Sequence, residues 1–307
     1  MLVGVSGIGF FSLCYRLFTN ARWIYKMFIR SPKNLRDYGL WAIITGSTDG
    51  IGKALAFELA SKGLNLVCMA RNLSKLESTA AEIRHKFGQR IKIRNIALDF
   101  DKSGPTEISS AIHHGIQGLD IGLLVNNVGI TNSHPKFFHE FEPEFIESMV
   151  RVNVEAAIWV TRAVIPGMMK KKKGAIVNIG SGSSATVSSY PLFTLYAASK
   201  AFMATLSRSI GLEYQSFGID IQCQAPLYIS TKMITELGTN ILIVPVEAFS
   251  KSSVRWMGHN DPICCPFWWH SLQSYITQSF LDDLVIKYLF KTFLRMRREA
   301  LEEKTGR

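Results

Sequence analysis

Residues 40–52 read Leu40-Trp41-Ala42-Ile43-Ile44-Thr45-Gly46-Ser47-Thr48-Asp49-Gly50-Ile51-Gly52. The run 40–45 is short and apolar, which predicts a buried parallel strand. The next segment, 53–62, carries Ala54, Leu55 and Leu59 at helical spacing, and Gly63 follows as its cap. Strand, glycine-rich turn and helix make the phosphate-binding unit of a dinucleotide fold. The glycines let backbone amides approach a pyrophosphate at the helix N-terminus. The spacing here is Gly-x-x-x-Gly-x-Gly rather than Gly-x-Gly-x-x-Gly. Gly46, Ser47, Asp49, Gly50, Ile51 and Gly52 are therefore the expected cofactor contacts of this turn.

Outward from that unit, apolar runs alternate with helical periodicity. Strands are expected at 64–69, 91–98, 119–125, 175–179 and 219–224, and helices at 74–87, 143–169 and 196–217. This alternation predicts an α/β doubly wound parallel sheet, a Rossmann fold. Ligands of such sheets bind at the carboxyl ends of the strands, where Gly46, Arg71, Asn126, Ser181 and Pro226 all fall. An acidic residue after the second strand would hold the ribose hydroxyl of NAD. Arg71 stands there instead, which suits a 2′-phosphate and so NADP(H).

The candidate chemistry lies in Tyr196-Ala197-Ala198-Ser199-Lys200. A Tyr and a Lys four apart share one helix face. A phenol titrates near 10, and a neighbouring ammonium favours its ionised form. A phenol tuned this way can protonate a carbonyl oxygen as hydride reaches the carbon.

The 307 residues are 47% hydrophobic and 19% charged, with a formal net charge of +11. Such a balance calls for an anionic partner, either phospholipid or a phosphate-bearing ligand. No aromatic-interleaved basic repeat or zinc-finger spacing supports nucleic acid. Five cysteines without a Cys-x-x-Cys pair argue against a disulfide framework and for a reducing compartment. No metal-ligand spacing is visible.

Residues 1–35 combine an apolar run, too short to span a bilayer, with aromatic and cationic flanks. They are expected to be a membrane-anchoring or interfacial segment. Residues 36–260 are the expected NADP-binding reductase domain, with a mobile substrate lid near 230–257. Residues 261–307 are an expected apolar extension with a basic tail, facing a membrane or enclosing the substrate.

Taken together, Thr45-Gly46-x-x-x-Gly50-x-Gly52, Asn126-Asn127-x-Gly129, Asn153, a serine after the fifth strand and Tyr196-x-x-x-Lys200 resemble the short-chain dehydrogenase/reductase family over about residues 40–233. Ser31-Pro32-Lys33-Asn34-Leu35-Arg36, Lys62-Gly63-Leu64-Asn65-Leu66 and Gln222-Cys223-Gln224-x-Pro226-Leu227-Tyr228 extend the resemblance to its very-long-chain 3-oxoacyl-CoA reductases, the plant type above all. The resemblance implies that Tyr196 donates the proton, Lys200 lowers its pKa and holds the nicotinamide ribose, Ser181 binds the substrate carbonyl, and Asn153 anchors a water leading to Lys200. It further implies that Asp99 and Asn126 meet the adenosine half, and that Pro226 and Thr231 lie near the nicotinamide. Family spacing counted back from Tyr196 points to Ser183, whereas the strand end points to Ser181; the strand end is preferred.

The implied activity is NADPH-dependent reduction of a long-chain 3-oxoacyl-CoA in fatty-acid elongation, on the cytosolic face of the endoplasmic-reticulum membrane. Membrane lipid, other elongase subunits and a second copy of the chain are the candidate partners. The sequence closes Glu303-Lys304-Thr305-Gly306-Arg307, without a dilysine retrieval signal, so membrane segments or partners would have to hold it there. A hydroxysteroid dehydrogenase and a non-catalytic membrane scaffold are the alternatives.

Overall fold

The structure, a computed structural model, describes residues 2–231 and 242–305. Contacts divide it into two units, residues 1–32 and 33–307. The first holds α1 (Leu2–Ile24) and a π-helical turn, Tyr25–Ile29. Phe10, Phe11, Leu17 and Phe18 are exposed. Among the described residues no helix is long and apolar enough to cross a membrane.

The second unit is built on a seven-stranded sheet in which every neighbouring pair is parallel. Its first six strands are β1 (Trp41–Thr45), β2 (Asn65–Ala70), β3 (Ile93–Ala97), β4 (Ile121–Asn126), β5 (Gly174–Ile179) and β6 (Ile219–Gln224). Between and after them come α2 (Gly50–Ser61), α3 (Leu73–Phe87), α4 (Pro105–Ile116), α5 (Pro143–Val150), α6 (Ala156–Lys171), the short α7 (Gly182–Ala185) and α8 (Thr194–Tyr214). A two-stranded pair, β7 (Ile229–Ser230) and β8 (Val244–Pro245), leads into α9 (Val246–Trp256). The last strand, β9 (Ile263–Cys264), completes the order β3-β2-β1-β4-β5-β6-β9, and α10 (Trp268–Ser279) and α11 (Asp282–Thr305) close the chain. The order turns back between β1 and β4, which makes the crevice expected of a doubly wound sheet.

Successive strand residues face opposite sides. Ile44, Leu66, Cys68, Val125 and Val177 join Leu55 and Leu59 of α2, Leu76 of α3 and Val254 of α9 in one core. Ile43, Val67, Met69, Leu124 and Ile176 join Ile108 of α4 and Val160 and Val164 of α6 in the other.

Several expectations change. The helix expected over 143–169 is interrupted by a π-helical turn, Arg151–Glu155, a device frequent at functional sites. Residues 261–307 are not an appendage to the sheet, because β9 pairs with β6. Of the expected lid, residues 232–241 lie outside the described residues, whereas α9 is a packed helix. Ser253 on α9 donates to Gln224 of β6 at 2.5 Å, and Phe249 is fully buried.

A buried polar chain bolts the sheet to the helices on one face. Asn126 donates to Thr161 of α6 at 2.9 Å and to Asn178 of β5 at 2.8 Å; Asn178 donates to Ser207 of α8 at 2.8 Å. Buried polar groups left without partners are costly. Asn178→Ala should therefore lower unfolding free energy by about 2 kcal/mol, read as a shifted denaturation midpoint with unchanged slope. An unshifted midpoint would show that the chain of bonds contributes no stability.

Candidate active site

Above the parting of β1 and β4 lies a cleft of about 410 Å³. Its near end is the turn after β1, where Gly46 and Gly50 take left-handed backbone angles, φ +67 and +50. Asp49 caps α2, accepting from Gly50 N–H at 2.9 Å. Gly46, Thr48, Asp49, Gly50 and Ile51 line the cleft, followed by Arg71, Asp99, Ser181, Tyr196, Lys200, Pro226 and Thr231. Arg71 is exposed at the end of β2, and the Thr231 methyl lies against Gly50.

Three expected contacts are not in the lining. Ser47 is fully buried beneath the turn, within 3.5 Å of the Met69 carbonyl. Gly52 is a packing residue: a Cβ there would come within 2.1 Å of the Gly46 carbonyl and 2.4 Å of Asn127 Nδ2. Asn126 points inward to Thr161 and Asn178, because it is the last residue of β4 and faces the interior. Asn127, one residue past the strand, lines the cleft in its place and ties Thr45 and Gly46 through their carbonyls, at 3.0 and 3.2 Å. Thr48 lines the cleft as well, a position the sequence reading did not name.

Lys200 and Tyr196 are brought together by one turn of α8, with the Lys200 ammonium 5.8 Å from the phenol ring centroid. Lys200 is buried and donates to the Ile179 carbonyl at 2.9 Å. Burial lowers its pKa from the ordinary 10.5 to about 8. Tyr196 departs from the expectation of a lowered phenol: burial raises its pKa, and hydrogen bonding from Ser181 works in the opposite direction. Ser181 is the serine that meets Tyr196. Ser183 stands behind it, its N–H and hydroxyl donating to Ser181 Oγ at 3.2 and 2.9 Å. With its oxygen supplied by two donors, the Ser181 hydroxyl is turned to donate forward, on the side of Tyr196.

Asn153, in the π-helical turn, does not reach the cleft. Its Oδ1 accepts from Ile130 N–H at 2.7 Å, and its Nδ2 donates to the Ile130 carbonyl and to Ser199 Oγ, at 2.9 and 3.0 Å. It holds the loop after β4 against α8. Only Gly129 separates it from Lys200: a Cβ there would sit 3.3 Å from Asn153 Oδ1 and 3.4 Å from Lys200 Nζ. Just before α8, Leu192 is left-handed at φ +64. A non-glycine residue in that region stores strain, and such strain gathers at functional sites.

A second cavity, about 690 Å³, shares Ser181, Tyr196 and Leu227 with the first. Its walls are mostly apolar and come largely from α10 and α11, including Trp269, Ile276, Leu284, Leu289 and Phe293. None of its described lining residues is charged, so the cations expected near an acyl-CoA are not in its wall. The first cleft fits a dinucleotide: a glycine turn at a helix N-terminus, an arginine beyond the second strand, and an ammonium beside a phenol line one groove.

The family model described as short chain dehydrogenase matches residues 40–241. A very-long-chain 3-oxoacyl-CoA reductase-like protein of Arabidopsis thaliana is 44% identical over 298 residues, covering 95% of this chain and 94% of the relative. Human 17-beta-hydroxysteroid dehydrogenase type 3 is 39% identical over 235 residues, 76% of this chain and 73% of its own. A solved short-chain dehydrogenase from Sphingobium yanoikuyae in complex with NADPH superposes with a TM-score of 0.65 at 25% identity, covering 77% of this chain and 93% of the other.

The depressed Lys200 pKa has a consequence for stability. The folded chain releases this proton near pH 8, before the unfolded chain does. Between pH 8 and 10 the unfolded state holds more protons, so Lys200 makes stability rise with pH in that window. The stability of the wild type relative to Lys200→Met should increase by about 2 kcal/mol from pH 7.5 to 10, measured by denaturant titration. A constant difference would mean that Lys200 titrates as a solvated lysine.

Proposed function

The chain belongs to the short-chain dehydrogenase family, and from that premise we propose that it reduces the 3-keto group of a long-chain 3-oxoacyl-CoA to the 3-hydroxyacyl-CoA in fatty-acid elongation. The observation that carries this reading is the junction of the two cavities. Tyr196 and Ser181 stand where a dinucleotide-shaped cleft meets an apolar chamber. A keto carbon held there would have the cleft lined by Lys200, Pro226 and Thr231, which would hold the nicotinamide, on one side and room for an alkyl chain on the other. The similarity to the Arabidopsis reductase-like protein, spread over nearly the whole chain, supports the same substrate class.

When bound, the reduced nicotinamide supplies the hydride. The protein's own groups handle the oxygen. Ser181 donates a hydrogen bond to the carbonyl and fixes its direction. Tyr196 gives the oxygen its proton as negative charge grows there. The phenolate left behind would be stabilised by the Lys200 ammonium, whose nitrogen lies 5.8 Å from the centroid of the same ring. Asn153 acts at one remove, by holding Ile130 and α8 in register. Gly46, Asp49, Gly50 and Ile51 would hold the pyrophosphate side, Asp99 the adenosine, and Pro226 and Thr231 the nicotinamide side. NADP(H) is favoured over NAD(H) because the exposed Arg71 offers a guanidinium to a 2′-phosphate.

The same reading puts the protein on the endoplasmic-reticulum membrane with its catalytic unit facing the cytosol. Exposed Phe10, Phe11, Phe280, Leu281 and Tyr288 support a lipid surface, and five unpaired cysteines support a reducing compartment. Other elongase subunits and a second copy of the chain are its candidate partners. Reduction of an oxosteroid is a second reading, favoured by the uncharged chamber wall and by the similarity to the human hydroxysteroid dehydrogenase.

NADPH oxidation by membranes containing the protein, with a long-chain 3-oxoacyl-CoA and an oxosteroid supplied in parallel, separates the two. Turnover of the acyl-CoA is the expected result, and preference for the steroid would replace the reading. Tyr196→Phe should lower kcat about a thousandfold while NADPH still binds; substantial residual turnover would remove Tyr196 as the acid. Arg71→Asp should weaken NADPH relative to NADH by about tenfold or more, read from the two kcat/KM values. Unchanged selectivity would take Arg71 out of the cofactor site.

A further inference from the structure

Two phenols in the apolar chamber take no part in the chemistry described so far. Tyr190 precedes α8, and Tyr228 follows β6; both line the chamber, and their hydroxyls lie 2.8 Å apart. Their neighbours hold them in place. Phe293 of α11 packs edge-on against Tyr190 at 4.9 Å and against Phe193 at 5.2 Å. His270 of α10 grips the Tyr228 loop at two points. Its Nδ1 accepts from Leu227 N–H at 3.3 Å, and its Nε2 lies 3.2 Å from the Tyr228 carbonyl. Burial lowers the His270 pKa to about 4, so the neutral ring that this pair of bonds requires is the form present near pH 7.

Two phenols carry two hydroxyl hydrogens, and the bond between them uses one. Neither hydroxyl forms a second hydrogen bond among the described residues. One O–H of the pair is thus available to an acceptor in the chamber. Both phenols line the same chamber as Ser181 and Tyr196. A ligand oxygen bound here would therefore lie near the oxygen bound by Ser181 and Tyr196. The substrate class proposed above has two such oxygens: a 3-oxoacyl thioester carries a second carbonyl two carbons from the reacting ketone.

We propose that the Tyr190–Tyr228 pair is a specificity site, donating a hydrogen bond to the thioester carbonyl of the 3-oxoacyl-CoA and so selecting 1,3-dicarbonyl substrates over simple ketones. This rests on the acyl-CoA reading. Other polar atoms in the chamber suit the task less well. Asn132 Oδ1 is buried without a partner but accepts only, as the carbonyl does. Gln273 Nε2 is a donor without a partner, on α10 beside Trp269 and Ile276, where the wall is apolar.

The test compares kcat/KM for a long-chain 3-oxoacyl-CoA with that for a ketone of equal chain length lacking the thioester. Wild type, Tyr228→Phe, Tyr190→Phe and Gln273→Leu are measured side by side. The Phe variants keep the ring packing and lose only the hydroxyl. Tyr228→Phe should reduce kcat/KM for the thioester about tenfold, with a severalfold smaller loss on the plain ketone. Equal losses on both substrates, no loss, or a selective loss in Gln273→Leu alone would overturn the assignment. Wild-type enzyme that does not prefer the thioester would overturn it as well. Absence of wild-type turnover of the 3-oxoacyl-CoA would defeat the acyl-CoA reading itself. Retained turnover indifferent to Tyr228 would defeat only the specificity site.

Discussion

At their carboxyl ends β1 and β4 part, because the chain leaves them toward opposite faces of the sheet. Thr45 and Asn127 hold that parting to a fixed width. The Thr45 hydroxyl accepts from the N–H groups of both Asn127 and Val128, at 3.0 and 3.1 Å, while the Asn127 amide reaches back to Thr45 and Gly46. Everything above depends on this tie. It sets where the glycine turn begins, how close α2 comes, and how wide the cofactor groove can be. Gly52 is glycine for the same reason: the Gly46 carbonyl and the Asn127 amide already occupy the space a side chain would need.

A second constraint connects the sheet to the proposed reacting groups. α8 carries Tyr196 and Lys200, and it is fastened at successive levels: Ser207 to Asn178, Lys200 to the Ile179 carbonyl, and Ser199 to Asn153. Each bond is buried or nearly so, where losing a partner is expensive. The phenol therefore keeps its position relative to the strand ends because three polar bolts resist sliding of the helix, and apolar packing alone is less directional. The Lys200 ammonium is both a bolt and a charge source, which is why it is worth its desolvation.

The β1–α2 unit, the sheet and the Tyr196–Lys200 pair were legible because each depends on a local pattern: an apolar run, glycine spacing, or one helical turn. Asn126, which the resemblance put at the adenosine half, faces the interior, and nothing local in the sequence says which of two adjacent asparagines lies at the lip of the cleft. Strand alternation turns Asn126 inward and leaves Asn127 at the lip. α9 was not read as a helix: its buried face, Phe249, Val254 and Trp256 with Ser250 and Ser253, has helical spacing, but the two serines dilute its apolar signal. β9 has two residues, too few for any periodicity. The aromatic stretch near 268–293 was read as either facing a membrane or enclosing substrate. Trp269, Leu289 and Phe293 line the chamber; no local feature of the sequence could have said which cavity they would meet.

The two cavities draw on different parts of the chain. Among the described residues, the first cleft is lined from Gly46 to Thr231, whereas 11 of the 26 residues lining the chamber lie beyond Trp268. The protein is in this sense divisible, with a fixed reactor and an exchangeable mould. Substitutions at chamber positions such as Ile276 or Leu284 would reshape that wall and leave the lining of the first cleft as it is. Duplicated copies of such a chain would be free to diverge in the chamber while the glycine turn and the Tyr196–Lys200 pair are kept.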